Sequence, residues 1–298
     1  MLAIAKYSMR GPSQAIIAVC LFAALSVWVA PLGIFAGAII ALVTLRVSVI
    51  EGFKTLVWGV TAHVLLSVML SGSYWPALIS VLEYMFPVWL MSVVLRQTSS
   101  LASALQAAMV MAGLGVIGFY LMVPEPAQWW LALFNQHAVP ILEAAEIAYQ
   151  SEVVAEMVNM VTMLLAVFVV ILWFSILIIG RWWQSKLYNP GQFKIDFHQL
   201  KLPKSTAYAA ILFAVVSLVF GQSAGLVYDL SGVIIVGLMF QGVAIAHQTV
   251  AIKQLNSAWL IGFYFLLFLF PQTMLILAAI GLVDTWVDFR NRWEKEEL

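Results

Sequence analysis

Charge is scarce in this sequence. Asp, Glu, Lys and Arg make up 9% of the residues, against about 25% in an ordinary soluble domain. The chain therefore lacks the polar surface needed to face water on every side. The balance is neutral as well, with 14 basic and 14 acidic residues. This argues neither for nucleic acid, which is not expected as a partner, nor for bulk acidic partners. Cysteine is nearly missing: Cys20 stands alone, so no intrachain disulfide and no paired-cysteine metal site can form. The histidines number four, His63, His137, His198 and His247, too few and too scattered for a haem or multi-histidine centre. No metal or other cofactor is expected. There is no GxxxxGK[ST] phosphate loop, so any use of ATP falls to a partner subunit. Without an HExxH pair or a nucleophile elbow, catalysis is not expected either.

What the sequence does have is apolar length. Hydrophobic residues reach 64% and the mean hydropathy is +1.02. In lipid every backbone N–H and C=O must be paired within the protein, which leaves helices or a closed barrel. A barrel would read as alternating segments of about ten residues; this chain has unbroken apolar runs of about twenty, the length a helix needs to cross the hydrocarbon. The expectation is an all-α, polytopic transmembrane bundle in one domain over 1–298, with no internal repeat. About nine spans fit, near 14–30, 32–50, 55–72, 76–95, 101–123, 159–180, 207–225, 228–247 and 258–283. Eight are possible if the chain ends on the inner side. Lys6 and Arg10 precede the first run without a small-residue cleavage site, so a retained first span is expected rather than a cleaved signal.

Basic loops stay cytoplasmic. With the N-terminus inside, Lys6, Arg10, Arg46, Lys54, Arg96, Arg181, Lys186, Lys194, Lys201, Lys204 and Lys253 fall on the inner side, eleven of the 14 Lys and Arg. Arg290, Arg292 and Lys295 lie in a C-terminal tail that nine spans place outside. Two segments interrupt the spans. The outer one, 124–158, has no Lys or Arg, five glutamates, and a Trp129-Trp130 pair suited to headgroup level. It reads as two short interfacial helices hinged near Pro140. The inner one, 181–206, is basic and aromatic, with a turn at Asn189-Pro190-Gly191. Phe193, Phe197 and Leu200 recur there at helical spacing, as in a helix lying on the inner leaflet.

An ionisable group within a span costs about 2.5–3.5 kcal/mol at the helix centre, which makes each one a functional candidate. Glu83 and His63 lie on consecutive spans, each roughly 12–14 Å from the outer end at 1.5 Å per residue. They could bind a polar ligand or relay a proton, or simply bond two helices together. Asp229 opens the eighth span, either as a ligand-binding group or as an acid at a helix N-terminus. Gln272 follows Pro271, and a proline within a span frees a carbonyl near a cavity. Together these four place the polar groups in the outer half. Gln106 and Gln241 read as interhelical bonds. Gly33, Gly37 and Ala41 form a small-residue stripe that either packs inside the bundle or docks a second membrane protein. Arg181, Trp182, Trp183, Lys186 and Lys194 of the inner segment set topology, hold anionic lipid, or dock a cytoplasmic partner.

The run Gly180-Arg181-Trp182-Trp183-Gln184-Ser185-Lys186-Leu187-Tyr188-Asn189-Pro190-Gly191-Gln192-Phe193, followed by Phe197-His198 and Leu200-Lys201-Leu202-Pro203, resembles the proteobacterial branch of the DUF2232 (YybS-like) bacterial integral membrane proteins. Gln192 stands where that pattern has a second glycine. The outer Trp129-Trp130 pair and the long outer segment are similar too. The resemblance implies a multi-pass protein of the bacterial inner membrane with a cytoplasmic N-terminus. It also implies a more remote likeness to the substrate-binding S components of energy-coupling-factor (ECF) transporters. In those, a ligand is captured from the outer side and small-residue faces dock a coupling subunit. The leading expectation is thus a transport-type membrane subunit that binds a small solute in an outer-facing cavity including Glu83. The alternative is a non-catalytic scaffold that recruits protein or lipid through its basic aromatic loop.

Overall fold

The computed structural model describes residues 1–220 and 225–289. The tail charges Arg290, Arg292 and Lys295 lie outside the described residues. The chain is all-helical, 85% helix with no strand among the described residues. It divides into two compact units, 1–108 with 171–201, and 109–170 with 202 onward.

The first unit contains α1 (Leu2–Ser8), α2 (Pro12–Leu25), α3 (Gly33–Arg46), α4 (Val49–Ser71), α5 (Trp75–Ser80) and α6 (Phe86–Thr98). A wide π-turn, Val81–Met85, joins α5 to α6. The helix α7 (Leu101–Met122) begins in this unit and continues into the second. The second unit holds α8 (Pro126–His137), α9 (Val139–Ala144) and α10 (Ser151–Asn159). The long α11 (Val161–Tyr188) starts in the second unit and ends in the first, which also holds α12 (Gln192–His198). The second unit is completed by α13 (Lys204–Phe220), α14 (Leu226–Ile252), α15 (Ala258–Leu269) and α16 (Thr273–Val287).

Among the described residues five helical stretches are long and apolar enough to cross a membrane: Val49–Ser71, Trp75–Thr98, Leu101–Met122, Val161–Tyr188 and Leu226–Ile252. The pair α15 and α16 makes a sixth if counted as one span, but its members are bent by 118°. The sequence reads 258–283 as continuous; the break falls at Pro271, whose ring removes an N–H and disfavours helical backbone at Phe270. The apolar helices Pro12–Leu25, Ala30–Arg46 and Lys204–Phe220 are shorter than the rest. The second expected span, 32–50, loses its last turn to sequence-local capping. Ser48 accepts the Glu51 N–H at 3.1 Å and starts α4, a Ser-x-x-Glu arrangement that favours a new helix. The guanidinium of Arg96 meanwhile donates to the carbonyls of Thr44 (2.8 Å), Leu45 (2.9 Å) and Val47 (3.1 Å), closing the end of α3. The outer segment forms three helical pieces rather than two, α8 to α10, with the first break at Ala138.

In the first unit α3 is buried on nearly every face, which a run without polar side chains from Gly33 to Val43 permits. Its small-residue stripe is spent there. A β-carbon on Gly33 would sit 2.5 Å from the Tyr84 ring, one on Gly37 2.8 Å from Ile176 and from the Tyr84 carbonyl, and one on Gly180 2.6 Å from Ala41. Gly33, Gly37 and Ala41 therefore carry this chain's own packing, and the docking alternative for that stripe loses its exposed face.

Pro87 leaves the Glu83 carbonyl without its helical N–H donor, and the indole of Trp173 supplies one at 2.6 Å. Trp173→Phe is expected to cost about 1–3 kcal/mol, the penalty for an orphaned buried carbonyl. In a Pro87→Ala background, where residue 87 regains its N–H, the loss should shrink. A double-mutant cycle on thermal unfolding in detergent measures this; strictly additive effects would contradict it.

Candidate ligand-binding site

In the second unit a cleft of about 530 Å³ opens between α7, α8, α11 and α14. Its wall includes Tyr120, Glu125, Gln128, Thr162, Tyr228 and Asp229. Asp229 lies in the first turn of α14 and is 2% exposed. Two groups hold its carboxylate. The Tyr120 hydroxyl donates to Oδ2 at 2.8 Å, and the Met163 backbone provides a second hydrogen bond. Met163 sits in the first turn of α11, where N–H groups have no intrahelical acceptor and the helix dipole favours a negative charge. Asp229 thus faces the positive ends of two helices, its own and α11. A carboxylate accepts about four hydrogen bonds, so capacity remains on the cleft side. Thr162 is positioned by the Trp130 indole, which donates to its hydroxyl at 3.0 Å. Trp129 and Trp130 are braced by Phe119, at centroid distances of 5.5 and 5.7 Å.

The other expected site residues lie elsewhere. His63 is 2% exposed in the first unit. Its Nδ1 is 2.7 Å from the Ala23 carbonyl, and since a carbonyl only accepts, Nδ1 carries the hydrogen. The Ser26 hydroxyl lies 3.2 Å and the Tyr84 hydroxyl 3.3 Å from the same nitrogen, and the two hydroxyls are 2.6 Å apart. His63 therefore pairs with Ser26 and Tyr84, not with Glu83. Glu83 and Tyr84 are consecutive, but on a helix one step is about 100°, and the π-turn sets which of the two faces inward. Glu83 is half-buried, and its carboxylate makes no hydrogen bond or ion pair among the described residues.

Gln272 is exposed at the bend between α15 and α16. Gly242 packs on Leu277 and Gly281 on Leu238, so α14 and α16 run antiparallel. Gln272 consequently lies toward the Ile252 end of α14, away from Asp229, and the two do not share a site. Of the two glutamines read as interhelical, Gln241 makes such bonds, described below, and Gln106 makes none among the described residues.

The inner motif is largely a lock. Arg181 donates to Asp196 at 2.9 and 2.5 Å and also bonds Gln184. Gln192 reaches the other Asp196 oxygen at 2.7 Å. Trp183 is fully buried and stacks on Phe35, and Gly191 takes φ +92° in the expected turn, a conformation glycine adopts without strain. Lys186 and Lys194 remain exposed and Trp182 partly so.

Sequence offers no signal for Tyr120, Thr162 or Ser26; only Tyr228 is marked, by its place beside Asp229. No protein-family model, no curated protein and no solved structure matches this chain.

Proposed function

We propose that the protein is a transport-type membrane subunit that binds a small polar solute in the cleft around Asp229. The observation that carries this reading is a nearly fully buried carboxylate, anchored by Tyr120 and the start of α11, in the wall of a cleft large enough for a small molecule. The reading moves the site from Glu83, which is not among the wall residues, to Asp229, which is. The sequence resemblance to the DUF2232 family, and beyond it to ECF substrate-binding components, supports the same role, and a coupling partner in the membrane is proposed with it. The finer topology belongs to the proposal too. Nine crossings follow if the five long stretches, the three shorter apolar helices and the bent pair each cross once. The basic residues then put the N-terminus in the cytoplasm and the cleft outside, in a bacterial inner membrane.

A screen of labelled metabolites against the purified chain tests the reading. At least one small polar solute should bind, and Asp229→Asn should weaken it about tenfold, the loss of one charged interaction, while Glu83→Gln leaves it unchanged. A bound solute indifferent to Asp229 would sink the assignment. The scaffold alternative draws on exposed Lys186, Tyr188 and Lys194 beside the Arg181–Asp196 lock. It would instead give a stoichiometric partner that is lost in Lys186→Gln/Lys194→Gln and no solute.

A further inference from the structure

We infer that the cleft around Asp229 selects small organic cations, an inference that rests on the solute-binding reading and names the class of solute. The side chains of its wall carry negative charge and aromatic surface and no positive charge. Asp229 and Glu125 supply carboxylates, Tyr120 and Tyr228 supply rings, and Gln128 and Thr162 supply neutral hydrogen-bonding groups. The segment 124–158, which contributes Glu125 and Gln128 to the wall, is equally one-sided, with five glutamates and neither Lys nor Arg. A phosphate or carboxylate solute would meet the repulsion of two carboxylates with no basic side chain in the wall to offset it. An ammonium group gains twice, from Coulomb attraction to carboxylates in a partly desolvated site and from the negative faces of aromatic rings.

A metal ion is a poorer fit. Among the described residues no three His, Cys, Asp or Glu side chains come together to hold one, and Asp229 already spends part of its capacity on Tyr120. The burial of Asp229 matters to selectivity. A carboxylate held on the surface would be screened by salt within about 10 Å at 0.1 M, whereas one that is 2% exposed keeps most of its field for whatever enters the cleft.

The test uses the full chain in detergent or nanodiscs and three probes of one shape and different charge: choline, the neutral 3,3-dimethylbutan-1-ol and the anionic 3,3-dimethylbutanoate. Isothermal titration should give choline at least tenfold tighter than the neutral probe, with no binding of the anion. Asp229→Asn, which keeps an oxygen for Tyr120, should remove about tenfold of the choline affinity and leave the neutral probe unaffected. Exposed Glu125→Gln, which does not threaten folding, should weaken choline about threefold. Equal binding of choline and the neutral probe, or tighter binding of the anion, overturns the cation assignment and leaves a solute-binding cleft standing. No binding by any of the three overturns the cation assignment, and the metabolite screen then decides by itself whether the cleft binds a solute.

Discussion

Gly281→Val is expected to leave little folded protein in the membrane. A β-carbon at Gly281 would be driven into the carbonyl oxygen of Leu238 and would sit 3.1 Å from the Gly242 nitrogen. The partner glycine is no freer: a β-carbon on Gly242 would strike the Leu277 carbonyl, with the carbonyl carbon at 2.8 Å. Each obstacle is backbone of the facing helix and cannot rotate away, so α14 and α16 must separate by roughly an ångström and forfeit contacts along the crossing. Overpacking a core costs about 1–3 kcal/mol when side chains can yield; here they cannot, and about 3 kcal/mol is the lower end for valine. Gly242→Ala plus Gly281→Ala should cost less than the sum of the two, because one separation relieves both. Gly262 has nothing within 4 Å of its built β-carbon. Gly262→Ala should therefore be neutral, or stabilising by about 0.5–1 kcal/mol through the unfolded chain. Thermal unfolding in detergent, read by circular dichroism, checks these variants, and a Gly281→Val protein melting with the wild type would refute the tight crossing.

Gln241→Leu should cost about 3 kcal/mol, nearly as much, for a different reason. Gln241 and Asp284 are both 0% exposed. The Gln241 amide accepts from the Leu202 N–H at 2.9 Å and donates to the Gly281 carbonyl at 2.9 Å and to Asp284 Oδ2 at 3.0 Å. Leucine has similar volume, so packing survives while the Leu202 N–H is orphaned and a buried carboxylate loses a donor. Each such loss costs about 1–3 kcal/mol, more at the charged group. Gln106→Leu is the control. Gln106 is half-exposed and makes no hydrogen bond among the described residues, so its replacement should lie within about 0.5 kcal/mol of wild type. Equal melting temperatures for the two variants would mean that the Gln241 network contributes nothing.

These two residues show where sequence reasoning runs out. Gln241 and Gln106 look alike in the sequence, each a lone amide in an apolar run, yet among the described residues one bridges three groups and the other bridges none. The period of a helix gives spacing along its axis and not the direction it faces within a bundle. The same limit separates His63 from Glu83. Their matching depth is legible from the turn between them, but the histidine turns to Ser26 and Tyr84. The stripe of Gly33, Gly37 and Ala41 is legible as a close-approach face; that its partners are Tyr84, Ile176 and Gly180 is not.

By itself the sequence determined the helical class, the apolar character that suits several helices to a membrane, and the turn at Gly191. It did so because lipid forbids unpaired backbone, and because proline, glycine and capping residues act within a few positions of themselves. It also marked Asp229 as an ionisable residue at the start of an apolar helix. Only the tertiary structure decided that Asp229 meets Tyr120 across 109 positions of chain in the wall of a cleft, that Gln272 lies toward the far end of α14, and that the last apolar run is bent by 118°. The first two depend on which faces of distant helices meet; for the third, Pro271 marks where the run breaks, and the angle belongs to the tertiary structure. In an apolar bundle many rotations bury similar area, and a few small residues and polar bonds select among them.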